Sequence, residues 1–260
     1  MKRITVTNQK GGLGKTCIAT NVARVLARDF NKKVLFFDFD LQANSTDTLS
    51  SFTSELTVYD FLNREFSDEE IQRVVAMATK SNLILIKATT LLADSDKFDK
   101  NVCVPMFLKN LSKLEPYFDY MIIDTPPTLG NTLTIAMLIS EYILVPLELD
   151  SFALMGLDKV LQTFANVKRL SNSNLKLLGV VINKLVTVRK RQQDLLAEVK
   201  SKAGKYLLNN MIHTSGAIQD ALSKSCSLRE LVKIKGSTDR RAITEFYNLT
   251  TELLDRIEEN

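Results

Sequence analysis

Cysteine, histidine and long apolar runs are all scarce in this 260-residue chain, and each scarcity removes a class of protein. The three cysteines, Cys17, Cys103 and Cys226, stand far apart and form no C-x-x-C pair. Neither a disulfide framework nor a zinc site is therefore expected. The single histidine, His213, has no partner constellation around it in sequence and reads as a structural or surface residue. No apolar run approaches the ~18 to 20 residues of a membrane helix. The apolar stretch behind Lys2 and Arg3 stops at Val6, too short for a signal peptide, so a cytoplasmic location is expected. There is no internal repeat, low-complexity tract or Pro/Gly-rich linker, and one domain over residues 1–260 is the economical reading.

What is present is an alternation. Short β-branched, apolar runs separate longer amphipathic stretches, the pattern of βαβ units. Strands are expected at Arg3–Thr7, Lys33–Asp38, Leu83–Lys87, Tyr120–Asp124, Tyr142–Pro146 and Leu177–Asn183. Helices are expected at Thr16–Asp29, Val104–Leu114, Thr132–Ile139, Phe152–Leu170 and Arg189–Lys202. In the stretch Thr238–Glu258, Ile243, Phe246, Leu249, Leu253 and Ile257 fall at helical spacing. The acidic segment Ser50 to Thr79 reads as a helical insertion at the rim. The expected fold is α/β with three layers: a mostly parallel, twisted β-sheet flanked by helices.

Between the first strand and the first helix lies Gly11-Gly12-Leu13-Gly14-Lys15-Thr16. Glycines permit φ > 0 and let backbone N–H groups close around phosphate oxygens. The helix N-terminus behind them adds its positive dipole end. Lys15 is placed to neutralise β- and γ-phosphate charge, and the Thr16 hydroxyl to ligate Mg²⁺. Strand before, glycine loop, Lys-Thr and helix after together make a specific signal for nucleoside triphosphate binding.

With Lys10 in front of the glycine pair, the run Lys-Gly-Gly-Leu-Gly-Lys-Thr resembles the deviant Walker A motif of the ParA/MinD family of P-loop ATPases. The signature lysine of that family reaches across a dimer interface to the partner's nucleotide. The resemblance thus implies that Lys10 supplies positive charge in trans, much as an arginine finger does. Asp38-Phe39-Asp40-Leu41-Gln42-Ala43-Asn44 resembles the family's Asp-x-Asp-Pro-Gln-x-Asn segment, and Asp124-Thr125-Pro126-Pro127 its Walker B. Both follow strands, where α/β sheets place ligand sites. The resemblance assigns Asp124 to Mg²⁺ through water, Asp40 to the attacking water, and Asp38 to supporting the metal and the loop. Thr57-Val58-Tyr59-Asp60 and Phe152-Ala153-Leu154-Met155-Gly156-Leu157 also look like ParA segments. Gly179-Val180-Val181-Ile182-Asn183 resembles the strand whose end contacts adenine, which makes Asn183 a base ligand.

The chain departs from that pattern in places. Cys17 stands where the family has a hydroxyl residue near the α-phosphate, and a thiol is the weaker donor. Leu41 replaces a proline. Where chromosomal relatives carry DNA-binding arginines in an Ile-Pro-Arg-Asn-x-Arg segment, this chain has Ile212-His213-Thr214-Ser215-Gly216-Ala217, with both arginines missing. Other basic residues are available: between Thr187 and Arg241 there are twelve Lys/Arg against five Asp/Glu, on a slightly acidic remainder. Such a balance suits a polyanion-facing surface. Arg189, Lys190, Arg191, Lys233, Lys235, Arg240 and Arg241 are the candidates for sequence-independent contacts to DNA phosphates.

The resemblance implies an ATP-dependent homodimer, non-specific double-stranded DNA as its track, a ParB-like centromere-binding partner, and nucleoid association in plasmid or chromosome partition. A MinD-like membrane-positioning ATPase is the alternative. It needs a C-terminal amphipathic helix with a basic face, whereas this chain ends Glu252-Leu253-Leu254-Asp255-Arg256-Ile257-Glu258-Glu259-Asn260, so no stable membrane association is expected. An iron–sulfur relative would need cysteines in a matching motif, which Cys103 and Cys226 lack.

Overall fold

The computed structural model describes residues 1–128, 130–186, 190–235 and 240–259, with backbone alone at 95, 96, 191 and 233–235. The chain opens with β1 (Lys2–Val6), α1 (Lys15–Arg28), β2 (Val34–Asp38) and the short α2 (Asn44–Thr48). Next come β3 (Thr53–Thr57), α3 (Val58–Asn63), α4 (Asp68–Lys80) and β4 (Leu83–Lys87). The middle holds α5 (Lys100–Leu114), β5 (Tyr120–Asp124), α6 (Asn131–Leu138) and β6 (Tyr142–Glu148). The remainder is α7 (Ala153–Leu170), β7 (Lys176–Asn183), α8 (Lys190–Ala203), α9 (Gly216–Ser223), α10 (Leu228–Lys235) and α11 (Arg240–Glu258).

The strands form one seven-stranded sheet in the order β3-β4-β2-β5-β1-β6-β7, and every pairing is parallel. A strand in such a sheet is covered on both faces, so its sequence runs continuously apolar while alternate side chains go opposite ways. β2 shows the split. Val34 and Phe36 pack with α1 and α11 on one face. Leu35 and Phe37 pack with α3, α4 and α5 on the other. On that second side Phe37, Phe61 and Phe107 make a cluster of rings with centroids 4.8 to 5.2 Å apart. Helices on both faces of a parallel sheet are the three layers expected from the sequence.

Six strands are legible in the sequence, and a seventh is not. β3 lies within residues 50–79, which read as a purely helical insertion; the segment is instead a strand followed by two helices. Both helices begin on capping boxes, Thr57 with Asp60 and Ser67 with Glu70, whose reciprocal hydrogen bonds satisfy orphan N–H groups. α5 begins four residues before the expected Val104, because the Asp99 side chain caps it by accepting from the Asn101 N–H; Pro105 sits inside the helix.

α11 is amphipathic as its spacing predicts, and its apolar face is already used. Ala242, Phe246, Leu249, Leu253 and Ile257 are buried in the same core as α1. The main apolar face of this helix therefore serves the core, which does not favour a MinD-like reading. Among the described residues, no helix is long and apolar enough to cross a membrane.

Candidate nucleotide site

The C-terminal ends of β1, β2, β5 and β7 converge, because all strands run in one direction. After β1 the chain must turn back sharply to start α1, and glycine makes the turn feasible: Gly12 has φ +78° and Gly14 φ +79°. Gly14 is the N-cap of α1. A Cβ there would also press on the Asn183 side-chain nitrogen, so the positive φ and the crowding both favour glycine. The loop is held from behind by β7. Asn183 Nδ2 donates to the Leu13 carbonyl at 2.8 Å, and Lys184 Nζ donates to the Gly12 carbonyl at 2.5 Å. Lys184 has φ +55°, an uncommon conformation for a non-glycine residue that surrounding contacts must impose.

Carboxylates meet the loop from the other side. The Thr16 hydroxyl donates to Asp124 Oδ2 at 2.6 Å, and the Ser45 hydroxyl donates to the same oxygen at 2.7 Å. Asp124 Oδ1 is buried without a partner. Asp38 Oδ2 accepts from the Thr46 N–H and hydroxyl at 2.7 and 2.8 Å, and Asp38 Oδ1 from the Asp40 N–H at 3.1 Å. Burial pushes both Asp38 and Asp124 upward in pKa; the charge of Asp124 adds to the effect on Asp38, while the Thr16 and Ser45 hydroxyls and Lys15 offset part of it on Asp124. Removing water from a charged carboxylate disfavours the ionised form. Lys15, 7% exposed, is lowered by burial, with Asp124 and Asp40 drawing it back up. A site that penalises its own charges in this way is prepared to receive others.

These groups border one cleft of about 700 Å³, lined by Gly11, Gly12, Gly14, Lys15, Thr16, Cys17, Asp40 and Asn183 among the residues anticipated from sequence. Asp38 and Asp124 lie beneath it, buried. Leu13 contributes backbone only, its side chain being 2% exposed. Cys17 is buried and its thiol is pushed up to about 12 by desolvation, so it remains a neutral, weak donor.

Lys10 departs from the group. Its ammonium pairs with Asp150 of the same chain and lies over the Phe152 ring, 5.6 Å from the centroid, while only its backbone carbonyl faces Lys15 Nζ, at 3.4 Å. The pair is about one-third exposed on each side, so it contributes about 0–1 kcal/mol and opens at little cost. Phe152 beside it is more than half exposed.

Sequence reasoning missed Ser45, Thr46 and Lys184. The hydroxyl pair directly after Asn44 is a readable signal, since hydroxyls near carboxylates serve as donors. Lys184 carries no such signal. The outer cleft wall, His213, Thr214, Ser215, Ile218 and Gln219, coincides with the segment where the expected arginines are missing.

Of the basic candidates, Arg189 lies outside the described residues, as do the side chains of Arg191, Lys233 and Lys235. Lys190 is exposed at the start of α8. Arg240 joins Arg28 and Arg229 around a depression of about 450 Å³ floored by Ile243 and Tyr247. Arg241 is 55% exposed and is tied to Glu245 at 3.3 Å.

Known proteins match this architecture. A family model described as an AAA domain matches residues 1–177. The sporulation initiation inhibitor protein Soj of Bacillus subtilis is 32% identical over 217 residues, 82% of this chain and 83% of Soj. Protein IncC of Escherichia coli is 28% identical over 99% of this chain and 70% of its own length. An ATP complex of a Cyanothece McdA variant superposes with TM-score 0.74 at 22% identity, over 98% of this chain and 96% of that one; at that identity the likeness concerns the fold. The chain belongs to this AAA-domain family and, within it, to the ParA/Soj group of partition ATPases.

Proposed function

We propose that this chain hydrolyses Mg–ATP as a homodimer, binds double-stranded DNA without sequence preference in its ATP form, and is reset by a ParB-like centromere-binding partner. The observation that carries the reading is the convergence of a glycine-turned loop, Lys15, Thr16, Asp124 and Asp40 on one end of a single cleft. A ParA-type domain over residues 1–260, working in the cytoplasm on the nucleoid, follows from the same reading. Relatives named chromosome-partitioning ATPase in Treponema pallidum and Thermus thermophilus support it.

The donor set suits magnesium. No cluster of three or more His, Cys, Asp or Glu able to cage a metal occurs among the described residues. Magnesium does not ask for one, since it keeps several waters and takes one or two protein oxygens plus phosphate oxygens. The Thr16 hydroxyl and the unpartnered Asp124 Oδ1 offer those oxygens, with Asp38 behind them. When bound, the ion would supply positive charge against the charge that develops on the phosphates.

The protein's own residues then have separate tasks. The N–H groups of Gly11 to Cys17 cradle the phosphates, and Lys15 neutralises them at the transition state. Asp40, 7% exposed and steadied by the Gln42 N–H at 3.0 Å on its Oδ1, orients the attacking water and accepts its proton. Asn183 spends one of its two amide N–H donors on the Leu13 carbonyl, which leaves its second N–H and its oxygen for the base. Lys10 leaves Asp150 and completes the γ-phosphate pocket of a second copy.

Arg240, Arg28 and Arg229, the last paired with Asp29 at 2.8 Å, form the leading phosphate-binding surface, with Arg241 next to Arg240 in sequence and Lys190 and the lysines of α10 as further candidates. Binding to a non-specific duplex, followed by anisotropy across a salt series with and without ATP, tests the proposal. The expected result is ATP-dependent binding that weakens steeply with salt and no sedimentation with anionic liposomes. Liposome binding without DNA binding would reverse the reading.

A further inference from the structure

The sheet has two edges, β3 and β7, and the β7 edge is covered. Along β7 the segment 207–214 runs as an extended strap: the Leu208 N–H donates to the Val180 carbonyl at 2.9 Å and the Ile212 N–H to the Ile182 carbonyl at 2.9 Å. It passes so close that a Cβ on Gly179 would meet Leu208 at 2.8 Å. Beyond the end of β7 the strap stays bonded, Leu185 N–H to the Ile212 carbonyl and Thr214 N–H to the Leu185 carbonyl, at 3.0 and 3.1 Å. The Thr214 hydroxyl also donates to the Lys184 carbonyl at 3.1 Å. This is the same β7 terminus whose Asn183 and Lys184 side chains hold the Leu13 and Gly12 carbonyls. The strap then becomes the outer wall of the cleft at His213, Thr214 and Ser215.

α11 grips this strap with two carboxylates on one face, two helical turns apart. Glu252, the far one, accepts from the backbone and side-chain nitrogens of Asn209 and Asn210 at 2.7 to 3.2 Å. Glu245, the near one, accepts from the His213 N–H at 3.0 Å on Oε2 and pairs with His213 Nδ1 at 2.8 Å on Oε1. Glu245 also takes Arg241 Nε at 3.3 Å, and Arg241 donates onward to the Thr214 carbonyl at 3.3 Å. Glu245 is 14% exposed, so these charge-assisted bonds are little weakened by water. The cleft wall and the first turn of α11, which carries Arg240 and Arg241, are therefore fixed to each other through one carboxylate.

We propose that Glu245 is a positioning residue which couples filling of the cleft to the setting of the basic first turn of α11. The proposal rests on the cleft being the nucleotide site. A nucleotide touches the wall at residues 213–215 and the loop at Gly12 and Leu13, and both ends of that path are bonded to the β7 terminus. A change in the wall reaches α11 at Glu245 before it reaches Glu252, whose partners Asn209 and Asn210 do not line the cleft. Ordering of the first turn of α11 by nucleotide then presets Arg240 and Arg241 for a polyanion.

The test is amide hydrogen exchange on the whole chain, with and without Mg²⁺ and AMPPNP, for wild type, Glu245→Gln and Glu252→Gln. In Glu245→Gln a donor replaces one acceptor oxygen facing donors, which breaks the knot with little change of shape. Wild type and Glu252→Gln are expected to slow exchange severalfold across 240–247 on adding nucleotide. Glu245→Gln is expected to lose that slowing while its AMPPNP affinity stays within about threefold of wild type. A full response in Glu245→Gln, no response in wild type, or equal loss in Glu252→Gln would overturn the proposal. DNA affinity on the same proteins is a separate arm: a wild type that orders α11 yet binds no DNA refutes the DNA reading and leaves the coupling standing.

Discussion

The two ends of the cleft are built on different principles. The phosphate end is assembled from three short segments, residues 10–17, 38–46 and 124, each at or just past the end of a strand, and its carboxylates Asp38 and Asp124 are buried and multiply bonded. The outer end comes from β7, the strap and α9, and the basic surface from α1, α10 and α11, with the strap and α11 joined by contacts across long stretches of sequence. Chemistry with a fixed geometry demands fixed residue types at fixed spacing, whereas a phosphate-binding surface asks only for positive charge somewhere on a face. The first kind of site therefore keeps its charged groups and the Thr16 hydroxyl in place, with exchanges at Cys17 and Leu41, whereas the second lacks two expected arginines and has other basic residues nearby.

Substitutions on the two sides should differ accordingly. Lys15→Ala is expected to have the largest effect, weakening Mg–ATP binding at least about 100-fold, or ~3 kcal/mol, since it removes a buried charge-assisted contact to phosphate; calorimetry or a fluorescent ATP analogue reads it. Asp40→Ala should keep ATP binding and dimerisation but lower the hydrolysis rate by about 10²- to 10³-fold, the range for losing a group that positions and deprotonates the nucleophile. Normal turnover by that variant would refute the role given to Asp40. On the surface, Arg240→Ala should weaken DNA binding only severalfold, alike for all sequences, and reduce the log–log salt slope by about one. A loss of Arg240 that abolished binding, or depended on DNA sequence, would erase the contrast between the two regions.

The same contrast explains what could be read before the fold was seen. The glycine loop, Asp40 and Asp124 were legible because each motif sits within a few residues of a strand with continuous apolar character, such as Phe36-Phe37-Asp38 and Ile122-Ile123-Asp124. β3 was not, because Thr53–Thr57 is a five-residue edge strand with one exposed glutamate and only two buried positions. Its short alternation is drowned by the acidic helices that follow. Lys184 is not legible in the sequence, because nothing local distinguishes a lysine that reaches a carbonyl 172 positions away. His213 reads as structural from its isolation in sequence, and its bond to Glu245 on α11 exists only once α11 docks on α1. Lys10 is the opposite case: its place in the motif was plain, but within one chain its ammonium faces Asp150 and not the phosphates.

That residue provides the most direct test of the central claim, that each nucleotide is completed by a lysine from a neighbouring subunit. Lys10→Ala and Asp40→Ala subunits, each inactive alone, are mixed in equal amounts and ATP hydrolysis is measured. If Lys10 acts across the interface, the site in the Lys10→Ala subunit has its own Asp40 and borrows Lys10 from its partner. Random pairing then restores about a quarter of wild-type activity. Activity no greater than the sum of the two variants, in a mixture shown to form mixed dimers, would contradict the account.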